Sequence, residues 1–159
     1  MVTMIERARQ ADTDRRVGRR RDVEYVLAMA AHFTHADRVL LEYLYRDGHS
    51  AVDYARLTRR SVRSVQRRVK ALLQRIYSPE FRWLVVHGQT LPAPLRPVAR
   101  RLILEGRALR ETARLTGRSL HTVRQQRLEL AVLLKTHASA KSTARAPLGS
   151  AESQFFSTS

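Results

Sequence analysis

The chain has no cysteine, so it can form neither a disulfide bond nor a thiolate metal site. It also has no apolar run near the roughly 20 residues that a membrane helix needs. Its amino-terminal segment carries Glu6, Asp12 and Asp14 among arginines and lacks the apolar stretch of a signal peptide. We therefore expect a cytoplasmic protein that makes no membrane contact.

Acidic residues are scarce as well, since 14 Asp and Glu stand against 30 Lys and Arg and give a net charge of +16. No carboxylate occurs between Asp53 and Glu80, although this span contains eight basic residues. Soluble helices usually mix charges of both signs, so a basic face without a partner is the less favoured interpretation. Arginine suits bidentate contacts to phosphate and guanine, although a GC-rich genome would favour the same residue. The composition thus predicts a polyanionic partner.

Motifs that would indicate catalysis or cofactor binding are missing too. The six glycines are scattered and form neither a phosphate-binding loop nor a dinucleotide-binding fingerprint. His32, His35 and Asp37 could bind a metal, but their spacing fits the start of a helix better. The carboxylates show no pairing that differs from helix caps and surface charge. We expect no enzymatic activity, no cofactor and no metal.

The most informative positive feature is an internal repeat, because residues 38–76 recur at 96–134, a displacement of 58 residues without a gap. Its centre is an eleven-residue box, ARLTRRSVRSV at 55–65 and ARLTGRSLHTV at 113–123, with seven identical positions. A period of this length indicates duplication of a small domain, not a solenoid. The identities outside the box are Arg38 with Arg96, Leu44 with Leu102, Gly48 with Gly106, and Leu72 with Leu130.

Each box predicts two helices joined by a sharp turn. The first residue, Ala55 in the first copy, is small where the two helices would press together, and the Val ten residues later would fill the gap. Ser61 and Ser119 can cap the second helix by accepting from its free backbone N–H groups. Gly117 stands at the turn, where a positive φ is expected, and the first copy has Arg59 there. The first turn should therefore be strained by about 1 kcal/mol or be differently shaped.

These boxes resemble the helix-turn-helix of sigma-factor region 4 and of LuxR-type response regulators. The resemblance covers about half of the chain and implies a double-stranded DNA partner. Region 4 of sigma factors also docks on RNA polymerase, which makes the polymerase a second candidate partner. A complete sigma factor is disfavoured, because the amino-terminal third is too short and too poor in aromatic residues to melt a promoter.

The predicted fold is all-α, with two tandem three-helix helix-turn-helix modules joined by a connector helix, an N-terminal helix and a disordered C-terminal tail. Thr34 with Asp37, and Ser50 with Asp53, have the spacing of helix starts. The predicted segments are 1–33 for a basic arm and an amphipathic helix, 34–77 for the first module, 78–94 for the connector helix and a Pro-rich boundary, 95–135 for the second module, and 136–159 for the disordered tail.

The connector should begin at Ser78–Pro79, a pair typical of helix starts. It contains Phe81, Trp83, Leu84 and Val85 and is too apolar for a free linker. These side chains either fasten the two modules together or form a surface patch for another protein. The arginines of the amino-terminal arm either follow the DNA backbone or minor groove or form a solvated helix end; they are Arg15, Arg16, Arg19, Arg20 and Arg21.

In docked helix-turn-helix motifs, the first two turns of the second helix face the major groove. Gln can bond adenine, Arg can bond guanine, and Val or Leu can touch the thymine methyl group. Both copies offer Gln beside Arg, in opposite order, so the half-sites should be related but not identical. The predicted base-reading residues are Val62, Arg63, Gln66, Arg67, Leu120, His121, Arg124 and Gln125. The predicted phosphate-binding residues, which carry no sequence information, are Arg59, Arg60, Ser61, Arg68, Arg118 and Ser119.

Three functions are compatible with the sequence. The favoured one is a sequence-specific transcription regulator that reads two related half-sites with tandem helices. The second is a sigma-like factor that acts with RNA polymerase. The third is a non-specific architectural DNA- or RNA-binding protein, which Gln66, Gln125 and His121 argue against, because a purely electrostatic binder would use Lys or Arg there. The target site, the sign of regulation and the oligomeric state stay open.

Overall fold

The structure, a computed structural model, describes residues 18–143. The expectation of an all-helical chain is confirmed, because these residues form eight helices and no strand. Helix α1 spans residues 18–30. The others are α2 (His35–Leu41, continued by a π-helical turn at Glu42–Arg46), α3 (Ala51–Thr58), α4 (Val62–Ile76), α5 (Pro79–His87, followed by a 3₁₀ turn at Gly88–Thr90), α6 (Arg96–Ala99, continued by a π-helical turn at Arg100–Leu104), α7 (Leu109–Thr116) and α8 (Leu120–Thr143).

Several helices begin at the residues that the sequence singles out as caps. The Ser50 hydroxyl accepts from the Asp53 backbone N–H, and the Asp53 carboxylate accepts from the Ser50 N–H in return. These two hydrogen bonds make α3 start with a complete capping box. The Asp53 carboxylate also accepts from the Ser50 hydroxyl at 2.6 Å, and this bond and the one from the Ser50 N–H lower the pKa of the Asp53 carboxyl, because both favour its ionised form. Thr34 and Ser78 cap α2 and α5 in the same manner, each through its side-chain oxygen.

Helices α2 and α6 widen into π-helical turns at positions that lie 58 residues apart. The Asp47 N–H donates to the Glu42 carbonyl at 3.1 Å, and the Glu105 N–H donates to the Arg100 carbonyl at 3.0 Å. Each turn is followed by a glycine with positive φ, 72° at Gly48 and 65° at Gly106. This widened last turn is not predicted by the sequence, and its recurrence shows that the repeat extends to backbone detail.

Burial follows the same displacement and extends the repeat by one helix. Val26 of α1 and Leu84 of α5 are both buried, as are Phe33 and Leu91 in the turns that follow. Further buried pairs are Leu40 with Val98, Leu41 with Ala99, Ala55 with Ala113, Val65 with Val123, Leu72 with Leu130, and Ile76 with Leu134. We therefore call α1 to α4 the first unit and α5 to α8 the second unit. Helix α5, predicted as a connector, occupies in the second unit the place that α1 has in the first.

The apolar residues of α5 are packed, as one of the two predictions for the connector requires. Phe81 is fully buried and lies against Phe33 of the first unit, with ring centres 5.5 Å apart. Trp83 is partly buried and stacks on His137 of α8, with ring centres 4.7 Å apart. Helix α5 thus packs against the first unit as well as against its own, and one apolar core runs through both units.

Helix α8 is longer than the sequence predicts. It continues to Thr143, so the prediction of disorder is wrong for residues 136–143. The contact that favours this extension is the stacking of His137 on Trp83 of α5. The rest of the predicted tail, residues 144–159, lies outside the described residues, as do Arg15 and Arg16 of the arm.

Arg19, Arg20 and Arg21 are exposed on the first turns of α1, where Arg20 pairs with Glu24. Within the described part of the chain, no helix is both long enough and apolar enough to cross a membrane.

Candidate nucleic-acid interface

The helices of each box are joined by the same left-handed turn. Arg59 has φ 53° and ψ 41°, and Gly117 has φ 64° and ψ 27°. The next N–H reaches back over the turn in both units, from Arg60 to the Ala55 carbonyl at 2.9 Å and from Arg118 to the Ala113 carbonyl at 3.0 Å. This hydrogen bond is typical of a helix that ends in a left-handed residue. Of the two options for Arg59, strain is therefore correct and a different turn is wrong.

Helices α4 and α8 begin with matching serine caps. The Ser61 hydroxyl accepts from the Ser64 N–H at 3.2 Å, and the Ser119 hydroxyl accepts from the Thr122 N–H at 3.1 Å. Each cap satisfies one of the four N–H groups that a helix start leaves without an intrahelical partner. Both serines are exposed, so the two helix starts lie at the surface, where an anion can approach them.

The crossing of the two helices is tightly packed in both units. Ala55 and Val65 are each 2% exposed, and their counterparts Ala113 and Val123 are 7% and 0% exposed. A larger residue at the alanine would push the helices apart, and a smaller one at the valine would leave a cavity. These pairs fix α4 against α3 and α8 against α7, so that the opposite faces of α4 and α8 stay in solvent.

The structure leaves six of the eight predicted base-reading side chains exposed. Arg63, Gln66 and Arg67 lie on the solvent side of α4, and the corresponding turns of α8 expose His121, Arg124 and Gln125. Val62 and Leu120, the first residues of these helices, are partly buried. The exposed side chains carry hydrogen-bond donors and acceptors of the types that read base edges in the major groove.

The predicted phosphate-binding residues divide into two groups. Arg59, Arg60, Ser61 and Ser119 are exposed at the turn and at the helix starts. Among the described residues, Arg59 and Arg60 form no ion pair with a carboxylate of the chain, and neither do Arg63 and Arg67 on α4. No carboxylate of the described residues therefore competes with an external anion for these guanidinium groups.

Arg68 and Arg118, by contrast, are held inside their own units. Arg68 binds the buried carboxylate of Asp37 through Nε at 2.8 Å and Nη2 at 2.6 Å, and so ties α4 to α2. Arg118 donates to the Pro94 carbonyl at 2.6 Å and to the Gln126 side chain. Truncating Arg68 would leave the buried Asp37 carboxylate without its partner, and truncating Arg118 would remove two hydrogen bonds within the second unit. We therefore assign both arginines a structural role before any contact with phosphate.

Two further polar residues on α4 belong to the same exposed face but are missed when only the first two turns are considered. Lys70 and Gln74 follow Arg63 and Arg67 at helical spacing, and both are exposed. The signal was present in the sequence as the series 63, 67, 70 and 74. The corresponding series on α8 is His121, Gln125, Leu128 and Val132, with Leu128 68% and Val132 64% exposed. The outer face is therefore basic on α4 and partly apolar on α8.

Metal ligands are not brought together in the part of the chain that the structure describes. Asp37, the carboxylate considered as a ligand, bonds the Thr34 hydroxyl and Arg68. Burial, and secondarily the charge of Arg100, lower the pKa of His32 and favour its neutral form.

Comparisons with protein-family models, with curated proteins and with solved structures found no match to this chain.

Proposed function

We propose that this chain is a sequence-specific DNA-binding transcription regulator that reads two related half-sites with α4 and α8. The observation that carries the proposal is the repeated motif: a tight left-handed turn, a serine-capped helix and an exposed polar face, recurring 58 residues apart. In this proposal α3–α4 and α7–α8 act as helix-turn-helix pairs, and the protein is a binding protein without catalytic activity.

The side chains on the exposed faces of α4 and α8 support the reading of base sequence as well as attraction to the phosphate charges. Arg67 can bond guanine through two donors, and Gln66 can bond adenine through a donor and an acceptor. Arg124 and Gln125 offer the same pair on α8 in the opposite order. Arg59 and Arg60 at the turn would bind phosphates and fix the register of α4 on the duplex. A purely non-specific binder has no use for the two glutamines.

The test is selection of bound fragments from random double-stranded DNA by the full chain. We expect an enriched site with two related but unequal half-sites, and protection of two major-groove segments. If no motif is enriched and every duplex of the same length binds with equal affinity, the protein binds DNA without sequence specificity and the proposal fails. The Arg67→Ala variant is the matched control, because it should lose enrichment at one base pair only.

A factor that acts with RNA polymerase is the second candidate function. The observation that favours it is the exposed apolar pair Leu128 and Val132 on α8, since exposed apolar patches often mark protein contacts. Leu128→Ser with Val132→Ser should then abolish co-purification with the polymerase, and these neutral substitutions leave the charge of the α8 face, and so its attraction to DNA, unchanged. Equal recovery of the polymerase with the wild-type chain and with the double variant would remove this candidate function.

A further inference from the structure

The end of α4 reaches out of the first unit and touches the second. Arg75, on the last turn of α4, is half-buried, and its Nη1 lies 3.4 Å from the Glu105 carbonyl oxygen. Its guanidinium carbon lies 5.4 Å from the centre of the Phe33 ring. Such stacking of a cation on an aromatic face is attractive, and it is stronger where water is partly excluded. One arginine thus joins the α1–α2 turn and α4 to the loop before α7.

Gly106 provides the space that this contact requires. A methyl group added to Gly106 would overlap the Arg75 guanidinium. The corresponding glycine of the first unit, Gly48, has the same left-handed backbone and no atom within 4 Å of an added methyl group. The two glycines therefore share one requirement, a positive φ, and only Gly106 has a second requirement, close approach of a neighbouring side chain.

The loop around Gly106 is itself held firmly. The Glu105 carboxylate is buried and accepts from Arg101 at 2.7 Å and from Arg107 at 3.2 Å. Burial alone would raise the pKa of this carboxyl, but the hydrogen bonds and charges of Arg101 and Arg107 outweigh it and lower the pKa. Arg75 therefore contacts a segment that is fixed within the second unit, so this contact can hold the second unit in one position relative to α4.

The contact belongs to the junction and not to the repeated unit. The residue of α8 that corresponds to Arg75 is Leu133, which is partly buried, and Asp47 corresponds to Glu105 but is exposed. A structural need of each unit alone would not explain these differences. They are explained if Arg75, Gly106 and Glu105 serve the junction between the two units.

We propose that Arg75 is a positioning residue that fixes α8 relative to α4 and thereby sets the half-site spacing that the protein accepts. This inference rests on the proposed function, since spacing has a meaning only if both helices bind DNA. We call the contact of Arg75 with Gly106 and Glu105 the latch. It lies at the end of α4 and so acts directly on a helix that is proposed to read bases. The apolar contacts of Phe81 hold the two units together but do not fix the orientation of a polar group.

Measurement of a distance in the free protein tests the latch without DNA. Because the chain has no cysteine, Ala71→Cys and Glu129→Cys can carry the only two spin labels, at corresponding exposed positions of α4 and α8. We expect one narrow distance distribution, which Arg75→Leu broadens. Leucine occupies the corresponding position of α8, so this variant is compatible with the helix. An unchanged distribution in Arg75→Leu overturns the proposal.

The two glycines supply a matched pair for the same measurement. Gly106→Ala should broaden the distribution and Gly48→Ala should leave it narrow, although both add a methyl group at positive φ. In an Arg75→Leu background, Gly106→Ala should have no further effect on the width, because the clash has been removed. Equal broadening by the two glycine variants would show that backbone strain and not the latch controls the orientation, and would contradict the proposal.

Binding to half-sites at stepped spacings tests the functional part. The wild-type chain should prefer one spacing by roughly tenfold or more, as expected when two rigidly held sites bind together. Arg75→Leu should flatten this preference and keep its affinity for a single half-site. If the distances respond to Arg75 but no duplex is bound, the proposed function fails while the latch stands. If spacing preference is unchanged in Arg75→Leu, the latch does not set it.

Discussion

The two units of this molecule share one backbone plan and differ in what they expose. Four features correspond at a displacement of 58 residues: the left-handed turn within each box, the serine caps, the π-helical turns and most of the buried positions. Residues 56–75 carry eight basic side chains and no carboxylate, whereas residues 114–133 carry four basic side chains and one carboxylate. Buried positions are similar in the two units because packing constrains them, and the exposed faces are free to take separate tasks.

The units also solve the same structural problem in different ways. In the first, α2 is tied to α4 by the ion pair of Asp37 and Arg68. The corresponding residues of the second are the buried Leu95 and Gln126, which Arg118 binds. A buried apolar residue can take the place of a partly buried ion pair without loss of stability. At this position the first unit thus has a carboxylate that its own arginine neutralises, where the second unit has a leucine.

The largest expected effect concerns salt. If the chain neutralises about 6 to 10 phosphates, its affinity for DNA should fall by roughly a thousandfold or more between 50 and 200 mM salt. Titration of a labelled duplex measures this fall. A flat response would exclude a nucleic-acid partner.

The share of each unit in this effect can be separated by charge-matched variants. Replacing Arg63, Arg67 and Lys70 of α4 by Gln should reduce the slope of log affinity against log salt by about 0.9 for each phosphate that the protein no longer neutralises. The control removes the same charge from the second unit, at Arg110, Arg114 and Arg127. Equal reduction of the slope in both triple variants would contradict a leading electrostatic role for the first unit.

The next effect separates the residues proposed to read bases from those proposed to bind phosphates. Arg67→Ala and Arg124→Ala should each weaken the cognate complex by about 1 to 3 kcal/mol and relax the preference at one base pair. Arg60→Ala, at the exposed turn, should weaken cognate and random duplexes alike. Binding assays on single-base variants of the site measure both. Identical behaviour of the three proteins would mean that α4 and α8 do not read sequence.

The turns give a smaller effect of predictable sign. Gly117→Arg should destabilise the protein by about 1 kcal/mol, because a side chain is then forced into the left-handed region. Arg59→Gly should stabilise it by up to about 1 kcal/mol, since the same strain is removed, partly offset by the greater freedom of glycine in the unfolded chain. Denaturant unfolding measures the two changes. Destabilisation by both substitutions would contradict the equivalence of the turns.

The smallest effect is a dependence of stability on pH. The folded state holds the pKa of Glu105 below its ordinary value, so its stabilising contribution is present above that ordinary pKa and is lost as the pH falls through the lower pKa of the folded state. Glu105→Gln should therefore flatten the acid limb of the unfolding free energy. Asp47→Asn, at the exposed corresponding position, is the control and should change the acid limb less. The reverse order would contradict the account of the Glu105 cluster.

Much of the fold follows from local residue patterns. Ser50, Ser61, Ser78 and Ser119 each mark a helix start, or the residue before one, because a hydroxyl at that place satisfies a backbone N–H whatever the tertiary surroundings. Gly117 marks the turn for an equally local reason. The exposure of the positions that we propose to read bases follows in turn, because burial of Val65 and Val123 decides which face of each helix is free.

The features that escape prediction depend on contacts between distant residues. The role of Arg68 depends on Asp37 and that of Arg75 on Gly106, partners about 30 residues away in sequence that no periodic pattern reveals. The correspondence of α1 with α5 is hidden because it is carried by burial, as at Val26 and Leu84, and not by identity. The length of α8 depends on the packing of His137 against Trp83. Patterns of single residues cannot report such pairings.

The central claim is that two similar units read one DNA site as a single rigid body. Footprinting and affinity measurement on the selected site, with and without five base pairs inserted between the half-sites, test it most directly. Before insertion we expect protection of two major-groove segments about one helical turn, roughly 34 Å, apart. The insertion turns the half-sites to opposite faces of the duplex, and the account predicts loss of one protected segment and a large fall in affinity. Unchanged affinity and two protected segments after the insertion would contradict it.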